Sequence, residues 1–520
     1  MKKKLLFFKK AIDNFWFWSL FLLFLLSLFL RIYRLGDLLG FYYDQGRDAL
    51  RVWEFWYNKK PFLVGPVTGL EGIFLGPFYY YLIAPFYLVG GGNPVYPAIF
   101  ISFLSSLSVF FIFYLGWKFH SKAGGIIAAI IFAFSYNLVL ASRWLSNPTP
   151  ILLSSTLLMI FFYKIYKTKN KKWWYAISVL VGLSMQFESA SAVFYIPISL
   201  IFYVWLATFE KKADLKPSGK LHHKKILFIS AFLFFLTLIP QIIFNFRHDN
   251  LLLNNFLSIF FKGEKGGGFG LNFKQILPIR LKYFWEVYYT KLIPNESKLV
   301  AIFTLISFFG LYLSRKTITK KFAIPFLLIF LLTPMAGFIL FQGNYGNIYD
   351  YYMTGYYLPF VLFFSLGLAE IWQKRLLGKA LVFLFFMSFF AVNIPLVKNY
   401  LSAGIDGKHH ITLGNQIQAV EYVIKDAGGK KFNVDFYVPP VLPYSYDYLF
   451  LWRTSKMCDK NRCGFVKDER VELLYTPYEV DPLYPDRLES WLKRQDSIGR
   501  FLEEKRFGGI TVQKRKRILY

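Results

Sequence analysis

The chain has 520 residues, 55% of them hydrophobic and 21% aromatic, and its 61 Lys and Arg against 31 Asp and Glu give a formal net charge of +30. A mean hydropathy of +0.39 with only 18% charged residues excludes a series of soluble domains, a disordered chain, a coiled coil and a disulfide-framework secreted protein, and indicates a membrane protein. Nucleic-acid binding would also produce a basic excess, but the cations here lie between apolar runs, where they orient helices and meet anionic lipid.

The first apolar run, residues 15–30, follows Lys2, Lys3, Lys4, Lys9 and Lys10, the flank of a segment whose N-terminus stays in the cytoplasm. A signal peptide is the competing reading, but Arg31 and Arg34 stand where the small residues of a cleavage site belong, so the run reads as an uncleaved first helix. Further runs near the ~20 residues a bilayer needs cover 95–116, 124–141, 149–166, 173–187, 189–208, 226–244, 298–313, 322–341, 353–372 and 380–397. Basic clusters at 118–122, 164–172, 211–225, 315–321 and 374–379 fall between alternate runs and belong on the inner side. Counting 77–90 as another span would invert every later loop, so this Pro-broken, Tyr-rich stretch is expected to lie at the outer interface. The expected architecture is an α-helical polytopic protein of about eleven spans in the cell membrane, N-terminus cytoplasmic.

Residues 1–397 form the membrane domain, with a long first outer loop at 31–94, a short outer turn at 143–148 and a second long outer loop at 245–297. The tail, 398–520, is another kind of chain and is expected to be a small extracytoplasmic α/β module. It has helical spacing at 416–423, strand alternation at 432–438 before Pro439 and Pro440, and a final helix near 488–505. The only low-complexity stretch is the Gly- and Lys-bearing loop 262–270, and no internal repeat is visible. Both cysteines, Cys458 and Cys463, lie in the tail. A local disulfide or two free thiols fit better than zinc, because no second pair or nearby His completes four ligands.

Charges next to membrane spans are costly and mark candidate functional positions. In the first loop Asp44, Arg47, Asp48, Arg51 and Glu54 enter an amphipathic helix, in which Asp44 and Asp48 share a face and Arg47 and Arg51 the adjacent one. Asp44 is either a functional carboxylate or the helix N-cap, and Asp48 either a site residue or a surface salt-bridge partner. In the short outer turn Pro148 opens the next helix, so Asn147 falls at its N-cap, while Arg143 either binds an anion or snorkels to the interface. Glu188 stands at the outer tip of a helical hairpin whose inner ends are basic. Arg247 and His248 close the seventh span on the same side, where they could hold a phosphate or anchor the interface. The run 344–357 is mostly aromatic belt, and a subset of its tyrosines, Tyr352 taken as representative, could line a groove.

In order and topology these residues resemble the membrane glycosyltransferases of the GT-C fold, in particular the protein mannosyltransferase and aminoarabinose transferase group. The resemblance runs from Arg31 to Leu251, with weaker support at 344–359. It lies in a first helix, a long outer loop opening with an acidic residue, an outer turn before a helix beginning at Pro, and an outer C-terminal module. Where that family usually has Asp-Glu in the first loop this chain has Asp44 and Gln45, and where it often has Asp before Pro the chain has Asn147 before Pro148. Asp44 is therefore the better catalytic candidate.

The resemblance implies transfer of a sugar from a polyprenyl-phosphate carrier to a lipid, glycan or protein acceptor at the outer face, usually with inversion. Asp44 would serve as base. Arg51, Arg143, Arg247 and His248 are the candidates to hold the lipid phosphate, with Asp48, Asn147, Glu188 and Tyr352 around the substrate. No glycine-rich nucleotide motif is evident, in keeping with a lipid donor and no nucleic-acid partner. No cofactor is indicated, although Asp44, Asp48 and Glu188 could gather around a divalent metal ion, which stays open. A transporter or flippase of lipid-linked saccharides is the alternative. Transporters tend to carry inverted repeats and midplane helix breaks, whereas the polar residues here collect at one face. A noncatalytic scaffold would leave the acidic first loop unexplained.

Overall fold

The computed structural model describes residues 15–212, 220–262, 272–314, 318–342, 346–439, 442–458 and 464–518. The N-terminal lysines, parts of the basic clusters at 211–225 and 315–321, most of the loop 262–270, Pro440 and Cys463 lie outside the described residues. Cys458 is disulfide-bonded, and the chain has only one other cysteine.

Among the described residues six helices are long and apolar enough to cross a membrane: Val95–Phe119, Ile151–Thr168, Ser189–Leu206, Phe322–Leu340, Asp350–Trp372 and Leu376–Ser402. Two bent pairs, Lys122–Phe134 with Tyr136–Arg143 and Lys224–Thr237 with Ile239–Arg247, raise the number to eight if each is one span. Shorter apolar helices cover Trp16–Ile32, Phe78–Val89, Trp173–Phe187 and Ser297–Leu313. A count of about eleven follows only if all of these but Phe78–Val89 also cross. The stretch 77–90 is an unbroken helix that accommodates Pro85 and buries Tyr79, Tyr80, Ile83, Ala84 and Tyr87.

The bent pairs were single runs in the sequence because their apolar composition continues through the breaks. The first bends by 63° at Ser135, whose backbone is extended, and the second by 59° at Leu238, just before Pro240. Backbone groups freed by a break need partners where no water reaches. Arg31, fully buried, donates to the carbonyls of Phe132 (2.8 Å) and Ala133 (3.3 Å) at the first break, and the Asn393 side-chain oxygen accepts from the Tyr136 N–H on its far side (2.8 Å). Arg143 returns the exchange by donating to the carbonyls of Leu30 and Tyr33, both at 2.9 Å, where the first helix ends. The root of the first long loop is thus held by two arginines that cap each other's neighbouring helix.

The tail folds into a five-stranded mixed sheet with helices Leu413–Ala427, Tyr444–Met457 and Pro485–Ile498. Its strands are β1 (Lys431–Val434), β2 (Gly464–Phe465), β3 (Leu473–Glu479), β4 (Gly499–Phe507) and β5 (Ile510–Arg517), in the order β2-β1-β3-β5-β4. β1 runs parallel to β2 and β3, while β5 is antiparallel to β3 and β4. Leu413–Ala427 buries Leu413, Ala419, Val420, Val423, Ile424 and Ala427, one face at helical spacing. The helix expected near 488–505 stops at Ile498, and the residues after it form β4. Gly508, at φ +58°, and Gly509 close the β4–β5 hairpin, in which Phe507 faces Ile510. β4 is an edge strand exposed along most of its length, so its charges show no two-residue alternation and resemble a polar helix.

This tail is clamped on the first-loop helix Tyr43–Asn58. Tyr43 packs on Tyr444, Phe41 and Trp53 pack on Tyr448, and the side chains of Tyr448 and Trp452 donate to the carbonyls of Gly92 and Gly91. At the crossing a Cβ on Gly46 would lie 2.2 Å from the Ser445 backbone nitrogen. Gly46→Ala is therefore expected to force the two helices apart at a cost of about 1–3 kcal/mol. Thermal unfolding and proteolysis of the 403–412 connection should both report it, whereas Gly36→Ala, whose nearest neighbour would be 3.9 Å away, should match the wild type.

Candidate functional site

The first-loop helix begins at Tyr43, after the Gln45 side-chain oxygen accepts from the Tyr42 N–H at 3.1 Å. Tyr42, not Asp44, holds the N-cap position; Asp44 lies in the first turn, where the helix dipole favours an anion. One turn on, Asp48 is 3% exposed. Its Oδ1 accepts from Arg47 Nε (2.9 Å), Arg47 Nη2 (2.8 Å) and Tyr80 Oη (3.0 Å). The other end of the guanidinium, Nη1, lies 2.8 Å from Asp44 Oδ1. Arg47 is therefore a fork between two carboxylates, one buried and one half exposed. Burial pushes the Asp48 carboxyl up to about 6, with the charge of Arg47 pulling the other way.

On the far side of Arg47 opens a cavity of about 470 Å³, lined by Arg51, Lys60, Arg247 and His248 together with Arg47 and Glu54. Three of the four expected phosphate ligands, Arg51, Arg247 and His248, thus converge from two separate loops. Arg51 pairs with Glu54 at 3.1 Å, and the His248 ring stacks on Phe244, itself part of the wall with Phe62 and Phe74. Gln241 Nε2 donates to the Phe74 carbonyl and Asn255 Nδ2 to that of Gly72, which ties the two loops together. Arg143 does not line this cavity, because Nη1 and Nη2 of its guanidinium serve the first helix end.

Asn147 and Glu188 form a second group. Asn147 Nδ2 donates to the Phe187 carbonyl at 2.6 Å and stands 3.5 Å from Glu188 Oε2, while Glu188 Oε1 accepts from the Ala190 N–H and caps the short helix Ser189–Ala192. Tyr351 lines a second cavity of about 250 Å³ with Trp144, Thr149, Lys291 and Asp350. Tyr352 does not line it; its ring stacks on Phe338 and meets those of Tyr349 and Tyr351.

Asp44, Asp48 and Glu188 do not converge as metal ligands: among the described residues no group of three or more His, Cys, Asp or Glu could hold a metal ion. Sequence reasoning missed Lys60, Tyr80, Lys291 and Asp350. Lys60 had a visible signal as half of a Lys pair in an outer loop, and Asp350 as the one acid in the Tyr-rich run. Tyr80 had none, being one of three consecutive tyrosines.

Residues 75–244 match the family model described as dolichyl-phosphate-mannose-protein mannosyltransferase. Asn147 and Glu188 lie inside that segment, and Asp44, Asp48, Arg247 and His248 outside it. A search of curated proteins finds no match. Among solved structures, ArnT from Cupriavidus metallidurans bound to undecaprenyl phosphate is similar at TM-score 0.56 and 9% identity, covering 96% of this chain and 98% of that one. Its apo form matches at 0.55 and 10%, over 96% and 97%. The Archaeoglobus fulgidus oligosaccharyltransferase in its apo form aligns at 0.46 and 13% identity, over 85% of this chain and 64% of that one. The chain is thus an integral membrane protein with the GT-C fold of membrane glycosyltransferases. Within that fold, residues 75–244 are similar to the mannosyltransferase family, and the whole chain resembles ArnT in fold.

The buried Asp48 predicts a pH dependence of stability. Its carboxyl titrates near 3.8 when unfolded and near 6 in the fold, so between these values the folded state holds the proton more tightly. Stability should fall as pH rises from about 4 to about 6 and then level off, and Asp48→Asn should remove that component. Thermal midpoints in detergent across this range measure it; an identical profile in the variant would rule out Asp48 as its source.

Proposed function

We propose that the chain transfers a sugar from a polyprenyl-phosphate carrier to an acceptor at the outer face of the membrane, with inversion at the anomeric carbon. The observation that carries this reading is the basic cavity. Arg51, Lys60, Arg247 and His248 meet there beside Arg47, and Arg47 is ion-paired to Asp44. In this reading the N-terminus is cytoplasmic and the C-terminal module extracytoplasmic. Undecaprenyl phosphate, which ArnT from Cupriavidus metallidurans binds, is a carrier of the right class: its phosphate suits the cations and its first isoprene units the wall of Phe62, Phe74 and Phe244.

The acceptor hydroxyl oxygen attacks the anomeric carbon as the bond from that carbon to the phosphate oxygen breaks. The departing lipid phosphate gains a negative charge, which the cavity cations stabilise. Asp44 takes the acceptor proton. Its side chain is half exposed and meets Arg47 through Oδ1, so Arg47 holds the carboxylate while Oδ2 remains for the proton.

Asp44→Asn should lower turnover by about 10² to 10⁴ in liposomes supplied with polyprenyl-phosphate sugar and acceptor. Arg247→Ala should lower kcat/KM by about 10- to 100-fold through loss of a charge-assisted contact. Unchanged turnover in Asp44→Asn would remove Asp44 from the chemistry. Carrier movement without sugar incorporation would identify a transporter instead.

A further inference from the structure

The second cavity differs in kind from the first. Where the first gathers five basic side chains against Glu54, the second has a single cation, Lys291, balanced by a single anion, Asp350, at 3.1 Å. The Lys291 side chain is 5% exposed and that of Asp350 58%, so the ammonium lies behind the carboxylate, which keeps acceptor capacity for a ligand. Tyr357 Oη, at 2.7 Å from Asp350 Oδ2, fixes the carboxylate further. Two aromatic rings, Trp144 and Tyr351, meet at 5.8 Å and form part of the wall.

We propose that this cavity binds one neutral sugar ring of the acceptor, which makes the acceptor a glycan rather than a protein. The inference rests on the transferase reading and names its acceptor class. Charge cancellation between Lys291 and Asp350 leaves nothing to attract a phosphate, whose place is the basic cavity. A fixed carboxylate accepts from vicinal hydroxyls, and aromatic rings cover the apolar C–H face of a pyranose. At about 250 Å³ the cavity falls below the ~300–1,000 Å³ of sites for drug-sized ligands and suits a single ring. Inversion requires acceptor and leaving group on opposite sides of the anomeric carbon, hence in separate cavities, and no residue lines both. Asp44 is linked to the first by its ion pair with Arg47.

The test is saturation-transfer NMR on the full chain in detergent, with a set of methyl hexopyranosides and a Ser- and Thr-containing peptide as probes. At least one methyl hexopyranoside should bind, with affinity falling about 10-fold in Trp144→Ala and in Asp350→Asn and staying within 2-fold in Arg247→Ala. Trp144→Phe, which keeps the wall aromatic, should retain binding and so separates loss of the site from loss of the fold. No binding by any hexopyranoside would overturn the proposal. So would binding indifferent to Trp144 and Asp350, or a peptide signal that depends on them in place of a sugar signal. Undecaprenyl phosphate binding, followed in parallel by native mass spectrometry, keeps the two readings apart: a failure there with the sugar result intact sinks the lipid-donor reading and not the cavity.

Discussion

A charged carboxylate with almost no access to solvent survives only where the fold brings donors to it. Asp48 meets that condition through Arg47 and Tyr80, and the arrangement constrains everything around it. Tyr80 belongs to the helix Phe78–Val89, so the bond to Asp48 sets how that helix lies against the first-loop helix. Arg47, committed to Asp48 through Nε and Nη2, has Nη1 left for Asp44 and borders the basic cavity. One buried acid therefore orients the guanidinium that joins the carboxylate Asp44 to the cationic cavity.

The opposite side of the same helix is governed by steric limits. Gly46 lets the helix approach the first turn of Tyr444–Met457 more closely than any side chain would allow, and aromatic packing around Tyr448 completes the joint. The first loop is thus a helix pinned between the helix Phe78–Val89 and the C-terminal sheet module, a long loop with little freedom to wander. Asp44, two residues before Gly46, inherits its position from that packing.

The fate of the arginines follows from the membrane. In an apolar medium each carbonyl freed at a helix end seeks a donor, and an unmet one costs several kcal/mol. Arg31 and Arg143 answer that need at the bend near Ser135 and at the end of the first helix. Arg247, also in the last turn of a bent pair, faces the basic cavity. Arg143 and Arg247, each ending an apolar run, take different roles: among the described residues Arg143 donates to another helix end, while Arg247 lines the basic cavity.

Hydropathy was sufficient for the helical membrane character and for most limits of the apolar helices, since these depend on composition summed along the chain. They also brought Asp44, Arg51, Arg247 and His248 forward, as charges at the edge of apolar runs are visible without a fold. Composition says nothing of where an apolar run bends, so the breaks at Ser135 and Leu238 were invisible, and the edge strand β4 passed for a helix because its exposed face carries no alternation. Which charges are free and which are consumed is a tertiary matter: Arg143 and Asp48 meet partners 110 and 32 residues away, and Lys291 meets Asp350 at a separation of 59. The sequence by itself determined a helical membrane protein with an acidic first loop. Only the tertiary structure divided its polar residues into a basic cavity, a neutral one and the Arg47 fork that links the first to Asp44, because hydrogen-bond satisfaction is settled by neighbours in space.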